Sequence, residues 1–509
     1  MPTDQNGDDS ADEARDGVSE RRQPDGGAVH AGESGERHPG EAGLEAIPDE
    51  ELDAFTDAFR GAVIFPDDER YDDARAVWNG MIDRQPAMIA RCTGVADVRT
   101  AVAFAREQEL LVAVRGGGHN VAGHATCDGG IVVDLSELNW VDVDLEAQTA
   151  RVGGGATWGD VDHETQAFGL ATPAGVVSTT GVAGLTLGGG YGYLRREYGL
   201  TCDNLVSVDV VTADGRCLTA SETEHEELFW AVRGGGGNFG IVTAFEYELH
   251  PVGPEVATVE TWHPIDDAKA VARGWREFVE TAPREISAEL VFWSVPDVPD
   301  FPEELRKQPV VIVSAVHSGD VDAGERALEP LRELGSPFLD LSGPTQYTDL
   351  QQDFDPFFPA GELRYYVTSI FLEELTDEAI DAVVARAESR PHYRVLVDVW
   401  HLGGAIADVS DEATAYSGRE HPFLLAIDAT WEEPADDDRV IEWSRSFREE
   451  LRDFSPGGRY LNFPGFGEEA EDPLRTTHSA ETYERLVDVK TEYDPENLFR
   501  LNQNVVPRE

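Results

Sequence analysis

Four glycine clusters are the features of this sequence best suited to chemistry. They occupy residues 116–118, 153–155, 188–190 and 234–237, and each follows an apolar stretch. Glycine lets a chain turn sharply and approach a ligand closely, and successive backbone N–H groups in such turns form concavities that bind anions. One cluster alone is equally compatible with a plain strand connection. Four clusters in one region favour a large cofactor that carries phosphate.

Other cofactor and metal motifs fit this sequence poorly. Residues 235–240 match the bare GxGxxG pattern of dinucleotide-binding folds, but residues 241–249 alternate like a strand where a helix should begin. The GxxxxGK[ST] phosphate loop does not occur. His119 and His124 lack a third ligand at a metal-binding interval, and HExxH is absent. The sequence therefore predicts no metal site, no P-loop and no Rossmann fold.

The sequence has a large excess of acidic side chains, which argues against negatively charged binding partners. The 509 residues include 99 acidic and 40 basic side chains, for a net charge near −59. Nucleic-acid binding needs clustered cations, so no nucleic-acid partner is expected. This many carboxylates repel one another in dilute buffer unless dense salt screens them. We interpret the composition as adaptation to a salt-loaded cytoplasm; an ordinary acidic protein is the alternative.

The cysteine content and the hydropathy of the sequence indicate the cellular compartment in which the protein is expected. Four cysteines form no CxxC pair and are too few for a disulfide scaffold. No run of about 18 apolar residues predicts a membrane span, and the N-terminus lacks the pattern of a secretory signal. A cytoplasmic protein without a membrane partner is expected.

The elements that must position the glycine clusters alternate between strand and helix. A first helix is predicted from residue 49, because Leu52, Phe55, Phe59 and Ala62 recur at helical spacing. Further predicted strands cover residues 87–90, 111–114, 131–135, 149–152, 206–212 and 241–249, and helices cover 95–109 and 158–168.

The composition changes after residue 254, where the glycine clusters stop. Strands are predicted at 310–316, 365–369 and 424–430, and charged amphipathic helices at 376–388 and 437–453. Thr376 is the expected N-cap of the first of these helices. The fold class is therefore α+β, with a second domain made of an antiparallel sheet backed by helices. Residues 1–47 are predicted to form a disordered acidic tail.

Five strings of residues, in order along the chain, resemble the berberine bridge enzyme-like flavoprotein oxidases. Those strings are RGGGHN at 115–120, GVAGLTLGGGYG at 181–192, YGLTCDN at 198–204, LFWAVRGGGGNFG at 228–240, and YDPENLFR at 493–500 followed by NQN at 502–504. The family has the vanillyl-alcohol-oxidase fold with an FAD-binding domain of the p-cresol methylhydroxylase (PCMH) type. The resemblance implies a two-subdomain FAD-binding domain at 48–254, a substrate domain at 255–457, and a C-terminal segment, 458–509, that returns to the FAD domain.

The resemblance also implies how FAD is held. His119 matches the histidine that bonds covalently to the flavin 8α-methyl group. Relatives with a second covalent bond use a cysteine where this sequence has Val177, so a single linkage is expected. Cys202 lies elsewhere and is expected to be a packed thiol. The residues expected to bind FAD are Arg115, Gly116, Gly117, Gly118, His119, Asn120, Thr179, Thr180, Gly181, Val182, Ala183, Gly188, Gly189, Gly190, Asp203, Asn204, Asn238, Gly240, Ile241, Val242, Asn502 and Asn504.

A flavin oxidase takes a hydride at N5 while a base removes a proton from a C–OH or C–N substrate. Tyr460, in the Tyr-x-Asn string shared with the family, is the leading candidate for this base, and a packing tyrosine is the alternative. Tyr416 and His401 are weaker candidates. The expected pocket residues are Trp293, Trp400 and Tyr365.

The implied activity is oxidation of a small molecule with O2 as acceptor, giving H2O2. The alternatives are a dehydrogenase that uses another electron acceptor and a flavin-binding protein without turnover. Fold alone does not choose among the substrates of such a family.

Overall fold

The computed structural model describes residues 47–466 and 473–508. All but the last residue of the predicted tail lie outside this range. Ile47 is 7% exposed and packs in the same cluster as Phe55, so this last residue of the predicted tail is part of a core. Among the described residues, no helix combines the length and apolar character needed to cross a bilayer.

A four-stranded sheet forms the first layer of the glycine-rich part. Its strands, in spatial order, are Ala62–Ile64, Met88–Arg91, Ile131–Asp134 and Val112–Arg115. The first pair is antiparallel and the other two pairs are parallel. The helices Asp49–Ala58 and Val95–Glu107 cover it with apolar side chains, as the stacking of Phe55 on Phe104 illustrates (ring centroids 4.3 Å apart).

A five-stranded antiparallel sheet forms the second layer, and it connects to the first through shared core residues. Its strands, in spatial order, are Val141–Asp144, Thr149–Gly153, Ile241–Glu248, Leu205–Val211 and Cys217–Ser221. The helix Trp158–Gln166 packs on it through buried Trp158 and Val161. Thr157 begins this helix with a reciprocal capping box, in which Thr157 and Asp160 satisfy each other's backbone N–H groups.

An eight-stranded antiparallel sheet forms the rest of the molecule. Seven of its strands, in spatial order, are Leu339–Asp340, Glu255–Pro264, Pro309–His317, Ile286–Ser294, Leu396–His401, Phe423–Trp431 and Arg364–Leu372; the eighth, Gly343–Gln346, also pairs with Glu255–Pro264. One face is covered by Ala268–Val279, Val321–Arg332, Asp377–Glu388 and Asp437–Glu450. The predicted α+β class is confirmed.

Smaller elements join these layers. The remaining helices are Tyr71–Arg75, Val182–Leu187, Arg195–Tyr198, Glu226–Ala231, Tyr347–Gln352, Ala405–Asp408, Pro473–Thr477 and Ala480–Tyr493, and a short ribbon pairs Leu170–Ala171 with His250–Pro251. The 3-10 turns are Thr201–Asn204, Ile265–Asp267, Asp355–Phe357, Pro434–Asp436 and Leu451–Phe454.

Most sequence-predicted elements agree with these bounds to within two residues, and Thr376 is the N-cap as expected. Three predictions need correction. The strand predicted at 365–369 covers Arg364–Leu372 and so ends three residues later. The first helix ends at Ala58, so Phe59 is its C-cap and Ala62 belongs to a strand. The apolar spacing continues past the end of the helix because the helix and the strand each pack against a hydrophobic core. The helix predicted at 437–453 ends at Glu450 and continues as a 3-10 turn.

The C-terminal segment is held by a buried cation. The Lys490 ammonium is fully buried and donates to Asp494 and to the carbonyls of Asn238 and Phe499, at 2.7–2.9 Å. Asp494 also accepts the backbone N–H groups of Leu498 and Phe499. Because all these groups are satisfied, the segment is fixed in register against the loop that contains Asn238.

Candidate active site

A cavity of about 350 Å³ lies where the glycine loops, the eight-stranded sheet and the C-terminal segment meet. Fourteen of the sequence-predicted site residues line it: Gly116, Gly117, Gly118, His119, Asn120, Thr180, Gly181, Ala183, Gly188, Gly240, Ile241, Val242, Tyr460 and Asn502. Ten others do not: Arg115, Thr179, Val182, Gly189, Gly190, Asp203, Asn204, Asn238, Asn504 and Tyr416. Of the expected pocket aromatics, Tyr365 and Trp400 line the cavity, and Trp293 packs instead against Trp262 and Phe357.

The glycine loops pack backbone against backbone on one side of the cavity. A Cβ atom added to Gly117 would lie 2.4 Å from the backbone nitrogen of Gly181, and one added to Gly154 would lie 2.3 Å from the Val242 carbonyl oxygen. Side chains of any size are therefore excluded at these contacts. The result is an apolar, backbone-lined concavity, which fits a large flat ring system with attached phosphates.

His119 projects from the first glycine loop and its ring is held on several sides. Its Nε2 lies 3.1 Å from Thr179 Oγ1 and its Nδ1 lies 3.4 Å from Thr180 Oγ1. The ring stacks on Trp78 with centroids 5.0 Å apart, and Trp78 stacks on Tyr365 at 3.6 Å. Burial lowers the pKa of His119 to about 4. The imidazole is therefore uncharged at neutral pH, with a nitrogen lone pair available for bonding.

Several residues that were predicted to bind the cofactor form contacts that hold the loops in place. Arg115 pairs with buried Asp134 at 2.7 Å. Asp203 pairs with Arg419 at 2.6 Å, and Asn204 bonds His250 at 2.6 Å.

Asn238 has a comparable role between the last glycine loop and the C-terminus. Its amide donates to the Gln503 carbonyl at 3.0 Å and accepts from the Val505 N–H at 3.0 Å. Asn502 donates to the Gly237 carbonyl, also at 3.0 Å. These contacts keep Asn502 and Gln503 at the cavity wall.

Tyr460 brings a phenol to the cavity from the C-terminal segment. Its oxygen accepts from the Gly190 N–H at 3.1 Å and from Asn462 Nδ2 at 2.7 Å. Burial raises the pKa of Tyr460, although both N–H donors oppose this shift. The group is therefore a neutral phenol at neutral pH.

The weaker catalytic candidates lie away from the cavity. The Tyr416 hydroxyl contacts the Tyr191 hydroxyl, and the Tyr416 backbone packs against Gly234. Tyr191 itself lines the cavity and meets the Tyr460 ring edge-on, with centroids 4.6 Å apart. His401 is buried, and burial lowers its pKa to about 2, so its imidazole is uncharged at neutral pH.

Sequence reasoning named aromatic residues of the eight-stranded sheet as pocket residues but missed the acidic residues on the same wall. Glu289, Asp398 and Asp428 lie on three adjacent strands of that sheet, and their side chains line the cavity. Burial is the main cause that raises the pKa of Asp398, and the negative charges of Asp428 and Glu289 raise it further. Burial also raises the pKa of Asp428. A recognisable signal was present, because an acidic residue within an otherwise apolar strand rarely occurs without a function or partner.

Comparison with known proteins identifies the family. The FAD binding domain model matches residues 86–221, and the model described as berberine and berberine like matches residues 460–506. (R)-6-hydroxynicotine oxidase of Paenarthrobacter nicotinovorans is 32% identical over 470 residues, covering 88% of this chain and 97% of that protein. An uncharacterised FAD-linked oxidoreductase of Bacillus subtilis is 31% identical over 455 residues, covering 88% and 97%.

Solved structures agree with this result. The crystal structure of 6-hydroxy-D-nicotine oxidase from Arthrobacter nicotinovorans superposes with a TM-score of 0.79 at 29% identity, covering 88% of this chain and 98% of that chain. A chitooligosaccharide oxidase shares the fold, with a TM-score of 0.78 at 23% identity, covering 90% and all of that chain. The chain belongs to the berberine bridge enzyme-like family of FAD-linked oxidoreductases. It is an enzyme of that class with an FAD-binding domain, as the sequence motifs predicted.

The contact between Gly117 and Gly181 gives a stability prediction. Gly117→Ala should lower the free energy of unfolding by about 1–3 kcal/mol, because the added methyl group meets backbone that cannot rotate away. Gly159→Ala is the matched control, since its Cβ would lie at an ordinary 3.4 Å from Ser178 within a helix. Its unfolding free energy should stay within about 1 kcal/mol of the parent value. Urea unfolding at constant KCl measures both, and equal values for the two variants would contradict the packing described.

Proposed function

We propose that this enzyme is an FAD-dependent oxidase that removes a hydride from a C–OH or C–N centre of a small molecule and uses O2 as acceptor, producing H2O2. The observation that carries the proposal is the single cavity in which His119, the glycine loops and Tyr460 meet. FAD, when bound, supplies the hydride acceptor at N5 and returns the electrons to O2. The oxidase names of several relatives support the same reaction class.

The cavity residues divide into a proposed binding set and a proposed catalytic group. The fourteen sequence-predicted residues that line the cavity, apart from Tyr460, are proposed to contact FAD. Arg115, Asp203, Asn204 and Asn238 support the loops through the contacts described above. The parts of the chain are proposed to be an FAD-binding domain at 48–254, a substrate domain at 255–457, and a C-terminal segment at 458–509 that completes the FAD site.

His119 is proposed to form the one covalent bond to the flavin 8α-methyl group. An uncharged imidazole is the form that can make a bond to carbon, and the low pKa of His119 keeps it in that form. Thr179 and Thr180 limit rotation of the ring. Val177, which lines the cavity, has no nucleophile with which to form a second bond.

The linkage is tested with acid-denatured protein. Yellow colour and flavin fluorescence should stay with the parent polypeptide and should be lost from His119→Ala, which is expected to retain FAD only non-covalently. His124→Ala is the control, because His124 also lines the cavity and also has a pKa lowered to about 4 by burial. Colour that washes off the parent protein would overturn the linkage, and colour lost from both variants would leave His119 without a specific role.

Tyr460 is proposed to accept the substrate proton. Tyr416, which lies outside the cavity, is proposed only to position Tyr191 through the contact between their hydroxyl groups. Burial raises the pKa of Tyr460, so the reactive phenolate fraction grows about tenfold for each pH unit below that pKa. The two N–H donors from Gly190 and Asn462 stabilise the phenolate once it forms.

Removing this hydroxyl should reduce turnover and its pH dependence. Tyr460→Phe should retain FAD but lose about 100-fold or more in kcat, and its kcat/KM should no longer rise with pH through the neutral range. The control is Tyr347→Phe, since the Tyr347 hydroxyl is buried outside the cavity without a hydrogen-bond partner in the described part of the chain. Oxygen uptake and H2O2 yield measure both variants. Unchanged turnover in Tyr460→Phe would remove it from the mechanism, and turnover only with an artificial acceptor would identify a dehydrogenase.

The acidic composition is proposed to be an adaptation to a salt-loaded cytoplasm. The basis is the net charge near −59, with only 3 lysines (Lys269, Lys307 and Lys490) among the basic residues. At molar salt the Debye length falls to about 3 Å, and repulsion between surface carboxylates is largely screened.

The unfolding temperature should therefore rise by several degrees between about 0.1 M and 2 M KCl, because screening favours the compact state. Calorimetry or circular dichroism measures this midpoint. Sucrose at equal osmolality is the control for solute exclusion, and it should give the smaller increase. A midpoint that does not rise with KCl would disprove the adaptation without affecting the assignment of FAD chemistry.

A further inference from the structure

Within the described residues, two of the three acidic side chains on the sheet wall have no counter-ion. Glu289 pairs with Arg195 at 2.9 Å, and the other bonds of Arg195 go to backbone carbonyls. Asp398 and Asp428 form no ion pair with any residue in the described ranges, and Arg195 acts on Asp398 only from beyond contact distance. The charge on Glu289 is therefore compensated, and that on the two aspartates is not.

The sheet register places these two carboxyls on the same face. Leu396 lies opposite Asp428 and Asp398 lies opposite Ala426. Directly opposed residues share a face, and so do residues two apart on one strand. Asp398 and Asp428 are thus diagonal neighbours pointing into the cavity, where both are lining residues.

The wall also presents polar atoms that the protein itself leaves unsatisfied. Asp398 Oδ1 and Thr430 Oγ1 are buried without a hydrogen-bond partner among the described residues, although Asp398 is only 8% exposed and Thr430 only 1%. Leaving a buried polar group unpaired costs free energy. Both residues line the same cavity, so a bound molecule with polar or charged groups would satisfy them.

Two neighbouring carboxyls in a poorly solvated wall do not both ionise easily. The groups that face them are Glu289 with its partner Arg195, and the indole of Trp400. When the pair shares one proton, one negative charge remains without a counter-ion. The faces of aromatic residues such as Trp400 and Tyr365, which also line the cavity, are a further favourable environment for a cation.

We propose that Asp398 and Asp428 together bind a positively charged nitrogen, so that the substrates of this enzyme are amines in their cationic form rather than neutral polyols. The inference rests on the proposed oxidase function, because it names the substrate class for that same cavity. Hydroxyl groups of a sugar would also hydrogen-bond to carboxyls, but they would leave the negative charge uncompensated. A monocation satisfies the unpaired oxygen and cancels the charge.

The test compares two molecules of nearly the same shape and different charge. Choline and its neutral isostere 3,3-dimethylbutan-1-ol are titrated into the FAD-loaded protein by calorimetry at one fixed KCl concentration. Choline should bind at least about tenfold more tightly, the ratio that 1.4 kcal/mol produces. Choline binding that is no tighter than that of the isostere, including undetectable binding of both, overturns the proposal.

Three variants test whether the preference for choline over its neutral isostere depends on Asp398 and Asp428. Asp398→Asn and Asp428→Asn should each reduce the choline preference to about threefold or less, and Asp428→Glu should retain most of it. Glu260→Gln is the matched control, because Glu260 is a largely buried acid on the same sheet that does not line the cavity. A full preference in the Asp398→Asn and Asp428→Asn double variant would overturn the assignment. If the variants do not fold, the choline comparison on the parent protein still decides.

Failure of this inference can be told apart from failure of the proposed function. FAD content and H2O2 production are measured with a panel of amines and of neutral sugars. Oxidation of sugars alone, with FAD bound, would refute the amine preference and leave the oxidase intact. Protein that binds no FAD would refute the oxidase, while the choline comparison would still report on the two aspartates.

Discussion

The close approach of the backbones at Gly117 and Gly181 is the constraint on which the rest of the site depends. With no side chain at either position, the first glycine loop and the segment that precedes the helix Val182–Leu187 come into direct contact. His119 lies two residues after one side of this contact, and Thr179 and Thr180 lie just before the other. The hydrogen bonds that orient the imidazole are therefore a direct consequence of the contact.

The same kind of packing extends to the neighbouring loops. A Cβ on Gly116 would lie 3.1 Å from the Gly154 carbonyl oxygen, and one on Gly188 would lie 2.2 Å from the Asn462 side chain. The structural interpretation of the glycine clusters therefore holds at these contacts, and the binding of FAD by the same loops is what we propose. Glycine lets the loops pack on one another, and this packing gives the cavity its backbone wall.

Features set by residues close together in the sequence could be predicted, and contacts between residues far apart in the sequence could not. The glycine clusters, His119 and Tyr460 could be found because local strings carry them, and strands could be found from local alternation. Asp203 was predicted to bind FAD because it belongs to such a string, but its partner Arg419 lies 216 residues away. No local pattern predicts that ion pair, so only the folded chain shows it.

The acidic pair escaped prediction for a related reason. Asp398 and Asp428 belong to separate strands, and each one alone reads as an isolated acid in an apolar run. Whether they meet depends on the register, and a shift of one residue would place one of them on the opposite face. The global excess of acidic residues also made them hard to notice, because two more carboxylates hardly change a net charge of −59.

The environment of Asp398 and Asp428 differs from that of the surface acids, since dissolved salt screens exposed charges far more effectively than buried ones. The proposed salt adaptation would therefore account for exposed carboxylates, but it would leave the charge of the two aspartates at the cavity wall unscreened, which is why we propose a cationic ligand for them.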